Sequence, residues 1–514
     1  MVSGSNTSGD KPRVAVVHYH LRPGGVTRVI ESTLGGLGEA GGYETVILAG
    51  ESYQGDCLLN VQLVAGLSYA QPVEKQTAKD LVKALKDAAE KGLKGNLPDL
   101  WHIHNHSLGK VPAMADAVTL LAEEGERLLL QIHDFAEDGR PDNFTVLQQA
   151  GRPYPIADHV HYAMLNSRDR RFAVEAGLAR SQVHSLPNPI EVSQELCRAE
   201  PELPRDRNLI VYPTRGIRRK NIGEAVLFAA VLGDRAVVAT SREPDNPVWK
   251  EKHEKWRSFS KKHQLNIHLG VVGEHSPSEL GFEGHDGKDF RTWIRAADTM
   301  LTTSVAEGFG LAYLESMFTR HMLVGRDLPE ITTDFKEAGL SFPGLYEHLR
   351  VPIAWVGEKR LAEKMQHGLA DFYQAYGVKL PTDALDRAMN SMVDTKDRID
   401  FGRLDEELQR KAITELLNAG DRDQVLMVTQ SASTNASSWC DAWFSHDTAK
   451  PNFGDLTQRI SEHFGIPICL DRLLATYKAV LGSAITPLGE RSANISAGLL
   501  QSFVKPDRFT FLRN

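Results

Sequence analysis

The sequence predicts an α/β protein with two Rossmann-like parallel-sheet domains facing a cleft and a mainly helical C-terminal extension. Three observations carry this. Short apolar runs alternate with stretches of helical periodicity over most of the chain, the pattern of parallel sheets covered by helices on both faces. The 514 residues are too many for a single core, since a domain usually takes about 100–200. The alternation breaks at PNPIEVSQELCRAEPELPRDRN, Pro187 to Asn208, which is rich in proline and charge and reads as a linker.

The first series of strands is expected at Arg13–His18, Thr45–Ala49, Leu100–His104, Arg127–His133 and Tyr162–Ser167. Behind the first strand Val26, Val29, Ile30, Thr33, Leu34 and Leu37 recur at helical spacing. The second series is expected at Leu209–Pro213, Arg235–Thr240, Asn266–Val271, Thr299–Ser304 and Met322–Gly325. Ala362 to Gly377 places aromatics and a leucine at helical spacing, as in core packing. From Leu404 an amphipathic helix runs to Gly420, a Ser/Thr/Asn-rich stretch covers Gln430 to Ser438, and a further helix is expected over Leu473–Leu481. The boundaries that follow are a polar, disordered tail over 1–12, domains over 13–200 and 205–420, and an extension over 421–514.

Composition narrows the function classes. A net charge of −8 argues against nucleic acid as a partner. No run reaches the roughly 18 apolar residues of a membrane span, which leaves only peripheral membrane contact open. The polar start lacks the apolar core of a signal peptide. Cys57, Cys197, Cys440 and Cys469 are far apart and form no CxxC pair. They point to no disulfide framework and so to a reducing cytoplasm.

Three segments combine residue types that suit a phosphorylated sugar. Pro23-Gly24-Gly25 joins the first strand to the first helix, where glycine lets a ligand approach the backbone and free amides favour an anion; a plain turn would use the same residues. Arg215, Arg218, Arg219 and Lys220 lie between a strand and a helix. There guanidinium and ammonium groups would neutralise a diphosphate, or simply be solvated. In SVAEGFGLAYLESM, Glu307 and Glu315 flank a glycine-bearing turn. Carboxylates accept well from paired hydroxyls, so the pair suits a ligand with hydroxyls at both ends and phosphates between; the alternative is a helix cap and a solvated glutamate. Along WHIHNH, His102, His104 and His106 alternate and on a strand would share one face, as a metal site requires.

These segments resemble the GT-B glycosyltransferases of the large retaining family 4. The resemblance rests on Gly24-Gly25, on Arg215 with Lys220-Asn221, and on the Glu-x7-Glu segment Glu307-Gly-Phe-Gly-Leu-Ala-Tyr-Leu-Glu315. Weaker echoes fall in the family's order at LPDLWHIHNH, LLLQIHDF, LNSRDRRFAVEAGL, HSLPNPIE and WIRAADTMLTTS, so that it spans Arg13 to Leu417. The resemblance implies a nucleoside-diphosphate sugar as co-substrate, a hydroxyl acceptor, no tightly bound cofactor and no metal. Glu307 would hold hydroxyls of the donor sugar and Glu315 the ribose. Arg215 and Lys220 would grip the diphosphate, helped by backbone around Phe309, Gly310 and Leu311 and by Gly24 and Gly25. His133 would lie against the transferring sugar, so that His133, Arg215, Lys220 and Glu307 form the catalytic set. On the acceptor side stand His18, His104, His106 and Asp134, with His20 and Asp138 close in sequence. A soluble small molecule or saccharide is the expected acceptor.

The chain departs from the family in three places. Thr214 precedes Arg215 where the family has glycine, and Arg320-His321-Met322 and Arg326-Asp327-Leu328-Pro329-Glu330 replace its Gly-x-Pro and Gly-Gly patterns. Two other readings use the same residues: a glycoside phosphorylase or synthase working on sugar phosphates, and a non-catalytic nucleotide-sugar scaffold.

Overall fold

A computed structural model describes residues 11–40, 42–56, 59–70, 73, 75–191, 207–393, 397–430, 432–444, 451–489 and 492–513. Cys57, Cys197, the first ten residues of the expected tail, Ser431 and most of the expected linker lie outside them. The chain divides into two compact units, Met1–Glu191 with Ser461–Val504, and Val192–Ile460 with Lys505–Asn514. The stretch read as one extension from residue 421 is therefore shared between the two.

The first unit is built on seven strands: β1 (Arg13–His18), β2 (Glu44–Ala49), β3 (Val61–Leu63), β4 (Leu100–His104), β5 (Leu128–Ile132), β6 (Val160–Met164) and β7 (Val183–Ser185). They pair in the order β3-β2-β1-β4-β5-β6-β7, every pair parallel. β4, β5 and β6 are buried at every position, as strands covered on both faces must be. The strand order reverses between β1 and β4, which makes the carboxyl ends of these two the topological switch point where such sheets bind ligands. Against this sheet the helix Gly25–Ala40 packs Ile30, Leu34 and Leu37, and Leu473, Tyr477 and Val480 join the same core cluster. Those three belong to the helix Ile466–Leu481, so the late part of the chain completes the first core. Tyr477 also reaches the sheet interior, its hydroxyl 2.8 Å from His102 Nδ1.

The second unit holds β8 (Asn208–Arg215), β9 (Ala236–Arg242), β10 (Ile267–Leu269), β11 (Thr299–Thr302), β12 (Met322–Arg326) and β13 (Leu345–Tyr346), in the order β10-β9-β8-β11-β12-β13. All are parallel, and the switch point falls between β8 and β11. The helix Ile222–Leu232 is buried at every residue, apolar all round as a central helix is, apart from Glu224. A second, antiparallel sheet follows: β14 (His348–Pro352), β15 (Arg398–Asp400), β16 (Leu426–Val428) and β17 (Ser433–Asn435), in the order β15-β14-β16-β17. The amphipathic helix expected before Gly420 runs over Glu406–Ala419 and closes on that glycine at φ 67°, the left-handed conformation that glycine adopts at least cost.

No helix among the described residues is long and apolar enough to cross a membrane. Cys440 and Cys469 are buried and free.

Candidate active site

In the second unit the loops after β8 and β11 are stitched together at the switch point. The Tyr212 hydroxyl donates to the Lys220 carbonyl at 3.0 Å and lies 2.8 Å from Ser304 Oγ. The Thr303 hydroxyl is 3.0 Å from the carbonyls of both Lys220 and Asn221, and the Val305 N–H donates to the Arg219 carbonyl at 2.9 Å. Asn221 sits at φ 50° between the turn Arg218–Lys220 and the helix Ile222–Leu232. Its amide is held by Glu224 and Gln409, at 2.8 Å each. A left-handed residue, three interloop hydrogen bonds and the two contacts of Tyr212 thus set the direction of Lys220, and the Lys220 ammonium meets the Glu307 carboxylate. The side chains are 17 % and 11 % exposed, so the pair is reachable yet largely out of water. Burial alone would raise the Glu307 pKa; the Lys220 ammonium and then Arg219 outweigh it and hold the carboxyl below its ordinary value.

The glycine turn after Glu307 has a steric reason. Gly310 adopts φ 85°, and a Cβ there would stand 2.5 Å from Ile331 Cγ2, so the turn into the helix Leu311–Phe318 admits no side chain. That helix starts without a side-chain cap. The Phe309 ring is buried edge-on against Phe335, 5.6 Å between centroids, so of the expected Phe309 contact only the backbone is offered. Glu315 lies in the second turn of the helix, half-buried.

The four basic residues of the β8 loop separate into different roles. Arg218 forks onto Glu406 at 2.9 and 3.2 Å, with Lys252 a further 3.3 Å contact on the same carboxylate. Arg215 meets Asp245 at 3.0 Å on an open surface. Lys220 is on Glu307. Arg219 is the one of the four with no carboxylate at ion-pair distance among the described residues, although it acts on Glu307 from farther off, and its buried Nε has no hydrogen-bond acceptor among them. Reading from the family motif selects Arg215 and passes over Arg219; the run of four cations was the only signal for it.

In the first unit the switch point carries a histidine cluster. His104 Nδ1 is 2.9 Å from His133 Nε2, and the His18 ring lies against His104 and His20, with centroids 6.1 and 5.5 Å away. Asn105 accepts from the backbone N–H groups of His133 at 2.7 Å and Asp134 at 3.2 Å. Burial first, then repulsion from His133 and His20, lowers the His18 pKa to about 3. Burial takes His133 to about 4, partly opposed by Asp134, and drives His104 well below its usual value. These rings are therefore neutral at pH 7, donors and acceptors rather than cations.

His106 departs from the expected shared face. β4 ends at His104, and Asn105 at φ 56° breaks the strand alternation. His106 instead bonds the Pro153 carbonyl at 3.0 Å and packs against Tyr154. Asp134 is paired with Arg140 at 2.5 Å. Among the described residues no group of three or more His, Cys, Asp or Glu is placed to hold a metal ion. Gly24 and Gly25 are exposed, and a Cβ on Gly25 would meet nothing within 4 Å; no protein contact dictates glycine there. His20 Nε2 bonds the Tyr69 hydroxyl at 2.7 Å, and Lys110 Nζ stands over the Tyr69 ring at 5.6 Å.

The segment that replaces the family's second glycine pattern serves the fold. Arg326 forks onto Glu224 at 3.0 and 2.7 Å and onto Asp400 at 2.9 and 2.8 Å. Asp327 accepts from Thr332 at 2.5 Å and Lys336 at 2.6 Å, and Glu330 pairs with Arg508.

Two parallel sheets of this order, each with its switch point and the late helix returning to the first, make this a GT-B-like fold of the kind that glycosyltransferases use. The solved structures it matches include Anabaena Alr3699/HepE in complex with UDP, at TM-score 0.51, 11% identity and 91% of this chain over 99% of that one. A glycosyltransferase from Rickettsia africae ESF-5 matches at TM-score 0.50, 11% identity and 93% over 100%. At such identities these likenesses bear on fold. No family model matches the chain. Among curated proteins it is 27% identical over 438 residues to mannosylglucosyl-3-phosphoglycerate synthase of Petrotoga mobilis (strain DSM 10674 / SJ95), covering 77% of this chain and 79% of that protein.

Proposed function

We propose that the protein is a retaining glycosyltransferase that moves a sugar from a nucleoside-diphosphate donor to a hydroxyl of a small, soluble, phosphate-bearing glycoside. The observation that carries the reading is the Lys220–Glu307 pair, held at the β8–β11 switch point by interloop hydrogen bonds. The curated relative supports it, because its name describes a synthase of a mannosylglucosyl-3-phosphoglycerate. Lys110 over Tyr69, beside His20 at the β1–β4 switch point, supplies a cation where such an anionic acceptor would sit.

In this mechanism Lys220 and Arg219 neutralise the diphosphate, Glu307 orients the sugar hydroxyls and Glu315 the ribose. The bond from the anomeric carbon to the diphosphate breaks through an oxocarbenium-like state, and the acceptor oxygen bonds that carbon on the same face. Its proton passes to the departing phosphate. His133, a ring that burial keeps neutral, acts toward the reacting sugar as a hydrogen-bonding group, the role the family resemblance gives it. The protein's share is positioning and stabilisation of the leaving charge.

A thermal-shift panel with UDP, GDP, ADP and their sugar conjugates tests the donor site. A nucleotide at about 100 times its dissociation constant stabilises the protein by about 2.7 kcal/mol. The shift is expected with one base and is expected to vanish in Glu315→Ala. Shifts with sugar phosphates and none with nucleotides would turn the assignment to a phosphorylase. Arg219→Gln is expected to weaken nucleotide binding by about tenfold, the lower end for a hydrogen bond to a charged group, with the unliganded melting temperature unchanged. An equal loss in Arg215→Gln with none in Arg219→Gln would return the role to Arg215.

A further inference from the structure

The loop after β5 carries His133 and Asp134 and is fastened from several sides. Asn105 holds the amides of both residues. Arg140 closes the loop on itself through the carbonyls of Phe135 and Asp138, at 3.1 and 3.0 Å. The remaining fastening leads to the helix Ser492–Phe503. The Phe135 and Phe503 rings are 5.2 Å apart, and Phe172 meets Phe503 at the same separation. Two residues beyond Phe135, the fully buried Glu137 carboxylate accepts from Ser496 Oγ at 2.7 Å and from the Tyr154 hydroxyl at 3.1 and 3.0 Å. One side chain thereby joins three separate parts of the chain: the His133 loop, the segment before β6 and a helix more than three hundred residues later.

We propose that Glu137 is a positioning residue that clamps the His133 loop to the C-terminal helix through Tyr154 and Ser496, and that ionisation of its carboxyl loosens the clamp. Its bearing on catalysis rests on the proposed role of His133; the clamp itself does not.

The surroundings set the direction. Among the described residues no cation pairs with Glu137. Tyr154 and Ser496 offer neutral hydroxyls, Asp138 on the same loop adds like charge, and His106 stands behind Tyr154 as a ring that burial keeps neutral. Arg168, the nearby guanidinium, is engaged by Asp169 at 2.7 Å and stands 3.9 Å from Asp138. Burial, only partly offset by hydrogen bonds from Ser496, from the Glu137 backbone N–H and from Tyr154, raises the Glu137 pKa to about 7. The clamp thus changes charge across neutral pH. For an acid whose pKa is raised in the closed state, the cost of staying closed grows as pH climbs from the free value to the raised one, then levels off. An opening that returns Glu137 to water is therefore favoured about tenfold more at pH 8 than at pH 6.

Hydrogen exchange of the full-length protein at pH 6 and pH 8, corrected for intrinsic rates, tests this. In the wild type, protection of 133–140 and 492–503 is expected to fall together by about tenfold between the two pH values. In Glu137→Gln, which keeps an acceptor but cannot ionise, it is expected to hold constant. Ser496→Ala, a small change on an outer helix, is expected to loosen both peptides at pH 6. Identical pH responses in wild type and Glu137→Gln, or loosening of one peptide without the other in Ser496→Ala, would overturn the proposal.

Discussion

Replacing Glu307 with glutamine is expected to lower kcat for sugar transfer by about 10²–10³-fold, the size of effect seen when one preorganised charge-stabilising group is lost. The change keeps the side chain's length and removes its charge from a site where Lys220 is only 17 % exposed. Lys220→Met is expected to fall in the same range, because the ammonium is then missing as the diphosphate leaves. The two act as a unit, so the double variant is expected to lose little more than either single one. Single-turnover rates with the donor identified by thermal shift measure this. Because Lys220 and Arg219 hold the Glu307 carboxyl below its ordinary pKa, it stays ionised at neutral pH. Its stabilising contribution is present above the unfolded carboxylate value and is lost only as pH falls through the lower folded one. Donor binding is therefore expected to show no step from Glu307 between about pH 6 and 8. A nucleotide shift retained in Glu307→Gln alongside lost transfer identifies an enzyme. Full nucleotide binding in wild type and variant, with no transfer from either to any acceptor tried, favours the scaffold.

What could be read in advance follows from how each feature is encoded. β1 and β4 have the same limits in sequence and structure, Arg13–His18 and Leu100–His104, because strands buried on both faces are short and mostly apolar, with His102 and His104 the polar positions inside β4. β3, β7 and β13 are three, three and two residues long, too short for any periodicity. The antiparallel sheet was missed for another reason: β14 pairs with β16 some eighty positions away, and long-range pairing leaves no local trace. Leu473, Tyr477 and Val480 do mark a helical stripe, but a stripe does not say which sheet it covers; here it is the one laid down by the first two hundred residues. Within the site, Glu307 and Lys220 are legible because the motif spacing is a local property. The fate of Arg219 depends on Arg218 finding Glu406 and Arg215 finding Asp245, partners that only the folded chain brings near. The His106 side chain turned away for one backbone angle at Asn105, where asparagine permits the left-handed conformation without dictating it.

Arg326 shows the same limit with the largest expected effect on stability. On the sequence it is a basic residue at a strand's carboxyl end, in the segment that stands where the family has its Gly-Gly pattern. In the structure it is almost fully buried and is, among the described residues, the cation that pairs with both Glu224 in the central helix and Asp400 at the end of β15, with Tyr346 donating to Glu224 at 2.5 Å and His348 within 3.2 Å of Asp400. It thereby ties the parallel sheet to the antiparallel one. Burial alone would raise Asp400, but Arg326 and then His348 outweigh it and hold the carboxyl far below its ordinary value. Its contribution is therefore present above the unfolded carboxylate pKa and is lost only as pH falls through the depressed folded value. Arg326→Ala removes the guanidinium that two buried carboxylates share and leaves Glu224 without a counter-charge among the described residues, and its expected cost is about 3–5 kcal/mol at pH 7. A lysine at this position keeps the charge but cannot fork onto both partners, so Arg326→Lys is expected to recover only part of the loss. Without the guanidinium, Asp400 and Glu224 take up protons at higher pH, so the gap between wild type and Arg326→Ala is expected to narrow from pH 7 to pH 5. Urea titrations of the three proteins at both pH values measure it. A gap that is small at pH 7, or that widens on acidification, would mean that water or a bound cation rather than Arg326 balances these carboxylates.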